Sequence, residues 1–551
     1  MRQLLAGLAV SLFLAAPVLA QQHESHAGPS PDQLGTVHFE TSCSPAVRGE
    51  LNRAVALLHS FEYRPAMETL TKVLERDPSC AVAYWGIALC HWGNPFAGLK
   101  TGPPLERGRA AAEKGLATGT PTPRERAYVA AAAELFTNAD TVPHRERTLA
   151  YARAMEALQR DFPQDVEARI FYALAVNQTA APTDKTYAAQ LKAAAILEPL
   201  WKEHPDHPGL PHYIIHAYDH PPLAAKALDA ARRYAKIAPS APHALHMPSH
   251  TFTRVGYWTE SAETNIASEK TAIKLNVMGE ALHAMDYQMY AYLQMARDKS
   301  ALAVLQRTPG VTSKLDVNAM GGAAPGVAGV YASAAIAARY ALERGAWADA
   351  AALQPAASAF PFADAITHFA RALGAARSGQ PAAAQADIDR LAALRDTLAA
   401  AKEEYWREQV DIQRRVAEAW VAFASGRKTE GIALMQAAAE SEDATDKSAI
   451  SPGPLAPARE LLGEMLLEAG NAKDALVAFD LTMKKEPSRF RGAYGAARAA
   501  ETAGDRARAR QLYRTLLDIA RSAEGDRPEL RRAREFVATS DEVGLDFSRA
   551  R

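Results

Sequence analysis

The chain has 551 residues, with 62 Lys and Arg against 63 Asp and Glu and a net charge of −1. That balance excludes the basic footprint of a nucleic-acid-binding protein, and three cysteines in so long a chain exclude a disulfide scaffold. Abundant alanine, scarce β-branched runs and long Ala/Leu/Glu/Arg segments predict an all-α protein with length enough for several domains.

Arg2 precedes an apolar run from Leu4 to Leu19, which closes on Val18-Leu19-Ala20 before Gln21. A charged start, a short apolar stretch and a small-residue site predict a signal peptide over residues 1–20, cleaved after Ala20, and a periplasmic or secreted mature chain. The run is short for a spanning helix, and no later stretch is apolar enough to cross a membrane. Residues 21–40 are polar, with Pro and Gly, and read as a flexible arm in which His23 and His26 are solvated.

From Pro45 a helical pattern runs to about Ala538. Cys43 and Cys80 each lie just before a predicted helix, so one bridge between them fits an oxidising compartment. Cys90 lies mid-helix and reads as a small buried hydrophobe. Trp85 and Trp92 read first as helix-packing residues and second as ligand platforms. Pro163, Pro205 and Pro239 each end a helix and close a helical hairpin.

Nine of the sixteen histidines fall between His204 and His283. PHYIIHAYDH (211–220) and PHALHMPSH (242–250) each hold a His-x3-His pair. His212 and His246 are 34 residues apart, as are His216 and His250 and also Pro205 and Pro239. On a helix over 211–220, Ile214, Ile215 and Tyr218 share one side, and His212 and His216 lie nearly opposite. In 242–252, His243, His246 and His250 face away from Leu245 and Phe252. One face of each helix suits packing, and the other carries imidazoles. Pro248, between His246 and His250, is expected to kink its helix. His204, His207 and His220 each stand before or near Pro and read as helix-end residues; His220 is kept as a binding candidate.

Two interruptions follow. Residues 309–329 are too dense in Gly and Pro to form one helix, and residues 440–454 read as a polar linker. The chain thus divides into an array over 41–305, a Gly/Pro-rich loop over 306–329, a second array over 330–540 and a tail over 541–551.

The clearest unit lies near the C-terminus: Gly463, Leu466, Gly470, Ala475, Phe479 and Pro487, followed by Ala497, Gly504, Ala509 and Tyr513. It resembles the tetratricopeptide repeat, a 34-residue helix-turn-helix. Ala54, Leu57, Ala66, Leu70 and Pro78 fit the same register. The phrases SCSPAV, AYWGIAL, PHYIIHAYDHP and HALHMPSHTFTR also resemble a group of exported bacterial tetratricopeptide proteins. The resemblance implies a helical-hairpin superhelix with a concave groove and an exported location, and no reaction. It also implies that repeat positions 2, 5, 9, 12 and 13 line the groove. These positions carry Gly209, His212, His216, Asp219 and His220 in one unit, and His243, His246, His250, Thr253 and Arg254 in the next. A third unit gives His283, Asp286 and Tyr290. Earlier units give His59, Trp85, Trp92, Glu167 and Gln178.

Residues i and i+4 of a helix lie about 5–6 Å apart, and packed helices about 8–10 Å apart. Four imidazoles, His212, His216, His246 and His250, can then meet around one divalent or transition-metal ion, with His243 and His283 in reach. Neutral imidazole suits Zn, Cu or Fe, and no cysteine is near in sequence. Asp286 or Asp219 is the candidate base or orienting group, and Tyr290 is compatible with a catalytic site, either hydrolytic or redox. Two other readings stand beside this one. The histidines and Arg254 could bind an anion or peptide carboxylate, or the cluster could be a structural hydrogen-bond network. The function class opposed to a metal site is a scaffold that binds a peptide, protein or small molecule in its groove.

Overall fold

The structure is a computed structural model that describes residues 33–549, apart from residues 99, 101, 120, 121, 182, 320 and 321 and the side chains beyond residue 539. The expected signal peptide, with His23 and His26, lies outside the described residues. The described residues form α-helices with three short 3-10 turns and no strand, running as successive antiparallel hairpins. None of these helices is long and apolar enough to cross a membrane.

Small residues set how closely each hairpin closes. A Cβ on Gly463 would lie 2.9 Å from the Phe479 ring, and one on Gly495 only 2.3 Å away. Helices Ala458–Glu468, Ala472–Lys485 and Phe490–Thr502 therefore close on a single aromatic side chain. In the first unit Leu70 packs in the same way against Gly86, where a Cβ would come within 2.7 Å. Leu70 and Phe479 are fully buried, each contributing about 1.5–3 kcal/mol. The turns between helices use Gly470 and Gly504, both at positive φ. The expected tetratricopeptide-type architecture is thus what forms.

Three boundaries differ from expectation. The arm is not loose as far as residue 40: Leu34, Val37 and Phe39 are buried, and Phe39 stacks on Trp85. Thr36 N–H donates to the Asp206 carbonyl at 2.9 Å, so residues 33–40 strap the first repeat to a later one. The helix Asp298–Thr312 runs through Pro309 and Gly310. A proline forfeits one backbone bond, and the helix resumes with Ser313 N–H on the Pro309 carbonyl at 3.0 Å. The expected loop 306–329 is therefore helical at both ends, as far as Thr312 and again from Gly326. At the C-terminus the helix Pro528–Arg549 continues through the expected tail.

The later repeats fold back on the earlier ones. Trp258 Nε1–H donates to the Ser488 carbonyl at 2.7 Å, Phe490 N–H to Gln294 Oε1 at 2.9 Å, and Arg489 to the Tyr290 hydroxyl at 2.8 Å. This return packs against the helices Trp258–Lys274 and Met278–Gln294. The expected linker 440–454 is helical as far as Asp443, and the connection 444–457 reaches the histidine-bearing helices, with Lys447 beside Asp219 and Tyr287.

Candidate metal centre

The helix Gly209–Tyr218 presents His212 and His216. Pro248 splits the next one into Pro242–His246 and Pro248–Val255. Met247 keeps helical dihedrals (φ −52°, ψ −35°), so the step bends the helix without redirecting His250. The His246 and His250 ring centroids lie 5.0 Å apart. The helix Met278–Gln294 adds His283. With His243, which lies on Pro242–His246, these make six buried histidines, of which His216 is the most exposed at 8 %.

They do not converge on one point as four. They form two triads, His212/His216/His243 and His246/His250/His283, each with its ligand nitrogens within 4.8 Å of one another. Each triad takes an i,i+4 pair from one unit and a single histidine from the next. The pair spacing is the 34-residue step seen in sequence. The triads adjoin, with His243 and His246 centroids 6.0 Å apart and His216 and His250 6.3 Å apart.

The second hydrogen bond of each ring fixes where its lone pair points. His246 Nδ1–H donates to Asn265 Oδ1 at 2.6 Å, and the Asn265 amide is oriented by its own bond to the Ser261 carbonyl. His250 Nδ1–H donates to Asp219 Oδ2 at 2.8 Å. His212 Nδ1–H donates to the His59 carbonyl at 2.5 Å. These partners leave the Nε2 lone pair of each ring directed into the cluster, as outer partners of metal-binding histidines do. His246 Nε2 and His250 Nε2 then face each other at 3.0 Å, and His212 Nε2 faces His243 Nε2 at 3.1 Å.

Burial holds the rings neutral. It lowers His212 and His283 to about 3 and depresses His216, His243, His246 and His250. Between His246 and His250 neither ring has a proton to offer, so two lone pairs oppose one another unless a cation lies between them. His216 Nε2, His243 Nδ1 and His283 Nδ1 are buried without a partner, an unsatisfied state that native proteins rarely leave unfilled.

The other candidates from sequence fall elsewhere. Asp219 orients His250 and accepts from Arg254 Nε at 2.9 Å, so both residues support the site from behind. Asp286 is not a free base: it is fully buried and paired with Arg339 at 2.8 Å, because a buried carboxylate needs a counter-charge. The Tyr290 hydroxyl is taken by Arg489. His220 lies outside the cluster, with Gln190 Nε2 at 3.3 Å. Trp85 is core. Trp92 and Gln178 line a separate apolar cavity of about 400 Å³.

Several neighbours gave no recognisable signal in sequence. Asn265 and Tyr287 are ordinary helix residues, and Lys447 stands in the polar linker. Glu62 accepts from the His243 backbone N–H at 3.4 Å. Burial and then the charge of Glu280 push its carboxyl up to about 8, and burial raises Glu280 to about 7. His207, set aside as a helix-end residue, is buried at 3.0 Å from Glu167, in a network with His59. The Cys43–Cys80 bridge does form.

No family model matches this chain, and no curated protein matches it. Among solved structures it is similar to one titled "Crystal Structure of P58(IPK) TPR Domain at 2.5 A", at 10 % identity, covering 92 % of this chain and 100 % of that one with a TM-score of 0.23. The fold assignment rests on the hairpins themselves.

Proposed function

We propose that this is an exported, tetratricopeptide-type protein that holds a transition metal in a buried, all-histidine centre, and that the centre serves redox chemistry. The observation that carries the reading is the pair of Nε2 lone pairs of His246 and His250 facing each other at 3.0 Å, with both Nδ1 protons already donated. Redox chemistry is favoured over hydrolysis by the state of the carboxylates. Asp219 and Asp286 are both engaged by cations, which leaves neither as a general base. The Cys43–Cys80 bridge supports an oxidising compartment.

An extended peptide has no open groove at the histidines. A cleft of about 800 Å³ lined by Tyr331, Phe362, Trp406, Lys447 and Ser451 offers a small molecule an approach. Phe362 and Trp406 stack there at 4.1 Å, and Ser451 and Lys447 touch Tyr287 beside His250. This supports a small-molecule substrate over a peptide ligand.

The test is metal analysis of the full chain, exported and purified without a polyhistidine tag. At least one transition-metal ion per chain is expected, with uptake reduced when His246→Ala and His250→Ala are combined. A small fraction of an ion per chain, unchanged in the double variant, would overturn the reading.

A further inference from the structure

On that reading of the histidine cluster, we propose that the centre is binuclear: His212, His216 and His243 hold one copper ion, and His246, His250 and His283 hold a second.

The repeat itself argues for two ions. Each triad is the same construction displaced by one repeat: positions 5 and 9 of one unit and position 2 of the next. A single ion shared by His212, His216, His246 and His250 would need both close pairs to open and re-aim. Each triad needs only a small adjustment, because ligands about 2 Å from an ion lie about 3.3–3.5 Å apart: the close pair opens slightly and the third nitrogen, within 4.8 Å, moves in. The close pairs within the triads already stand at 3.0 and 3.1 Å. The row ends where the chemistry changes. In the third unit positions 5 and 9 are Asp286 and Tyr290, committed to Arg339 and Arg489. At the other end position 2 is Gly209, where a Cβ would strike the His59 ring at 2.5 Å. Two half-sites, and no more, fit between these ends.

The charge of the site selects the metal. Six neutral imidazoles bring no negative charge. The cations beside it, Lys447 and Arg254, lie against Asp219, and the flanking walls are aromatic: Phe61, Phe96 and Tyr287. Burying two divalent ions there, with no anionic ligand, is costly. Copper can enter as a monovalent ion, which halves that charge and accepts three nitrogen ligands. In its divalent state it also tops the affinity order for nitrogen sites.

The experiment is an anaerobic Cu(I) titration of the full-length, tag-free chain against a chromophoric chelator. Uptake is expected to saturate at two ions per chain. His216→Gln and His283→Gln, one from each triad, should each take up one ion fewer, and circular dichroism should show both folded. After ferricyanide oxidation of the loaded wild-type protein to Cu(II), the electron paramagnetic resonance spectrum should show the dipolar broadening and half-field transition of two neighbouring ions. This readout needs no variant, so the proposal stands or falls even if both substitutions fail to fold. Saturation at one ion, abolished by either substitution, would overturn the binuclear centre and leave the metal reading intact. Two fully uncoupled spins would also overturn it. No uptake at all would overturn both.

Discussion

Two buried histidine clusters lie side by side in this molecule. His59, Glu167 and His207 form a closed set. His59 Nε2–H and His207 Nε2–H donate to the two oxygens of Glu167, at 2.7 and 3.0 Å. The remaining nitrogens accept from the Tyr213 hydroxyl and the Gly209 backbone N–H. Every proton has an acceptor and every lone pair a donor. In the His246/His250/His283 triad the outer protons are equally well placed, yet the inner lone pairs meet one another. Burial and clustering are common to both, so neither identifies a metal site. What separates them is where the protons are.

That contrast can be broken by substitution. The largest effect is expected from combining His246→Ala with His250→Ala, which should remove the ion between them and cut uptake from two ions per chain to one. His59→Ala or His207→Ala should leave uptake unchanged and destabilise the fold by about 3–5 kcal/mol, because a buried Glu167 carboxylate loses a partner. Denaturant unfolding and metal analysis on the same samples read both. If His207→Ala removed metal as well, the distinction between the clusters would fail.

Saturating metal should stabilise wild type by about 2.7 kcal/mol for each ion bound at a hundredfold excess over Kd. His207→Ala should gain the same increment, and the double variant only that of the ion held by His212, His216 and His243, as thermal unfolding with and without metal will show. Smaller still is the effect of the outer partners. Asp219→Asn or Asn265→Leu should weaken metal affinity about 10–100-fold, measured by competition titration, with little change in the Glu167 network.

The clusters also separate by pH. The folded pKa values of the six histidines lie below the free value of 6.5. The unfolded chain therefore binds more protons, and stability of the metal-free protein falls as pH drops below about 6.5. Glu167 is held below the ordinary carboxylate range by His207 and His59, against its burial. Its contribution is complete above the unfolded carboxylate value and is lost only as pH falls beneath it. Urea unfolding of the apo protein between pH 5 and 6 should show His283→Gln flattening the pH slope by up to about 1.4 kcal/mol per unit. An unchanged slope would mean His283 is not held neutral.

The helical hairpins and the row of imidazoles were legible because both follow local rules. Gly463, Phe479 and Pro487 fix a hairpin through sterics alone, and the His-x3-His pairs share a helix face by periodicity. The partition into triads was not legible. It depends on His243 and His283, each reaching back to the preceding unit across a distance that the 34-residue step does not encode. Asp286 and Tyr290 occupied the right repeat positions, but their partners, Arg339 and Arg489, come from the returning half of the chain. Lys447 is invisible for the same reason: nothing local places residue 447 against helix Met278–Gln294. His207 was set aside for standing before a proline, although its position in space was set by Glu167.

The central claim is that a cation separates His246 from His250. Anomalous diffraction from crystals of the metal-loaded, tag-free protein, collected at the metal's absorption edge, tests it directly. The account predicts an anomalous peak about 2 Å from both Nε2 atoms, with Nδ1 of each ring still on Asn265 and Asp219. Two rings remaining in contact with no peak between them, or a peak only on the His59–Glu167–His207 network, would contradict it.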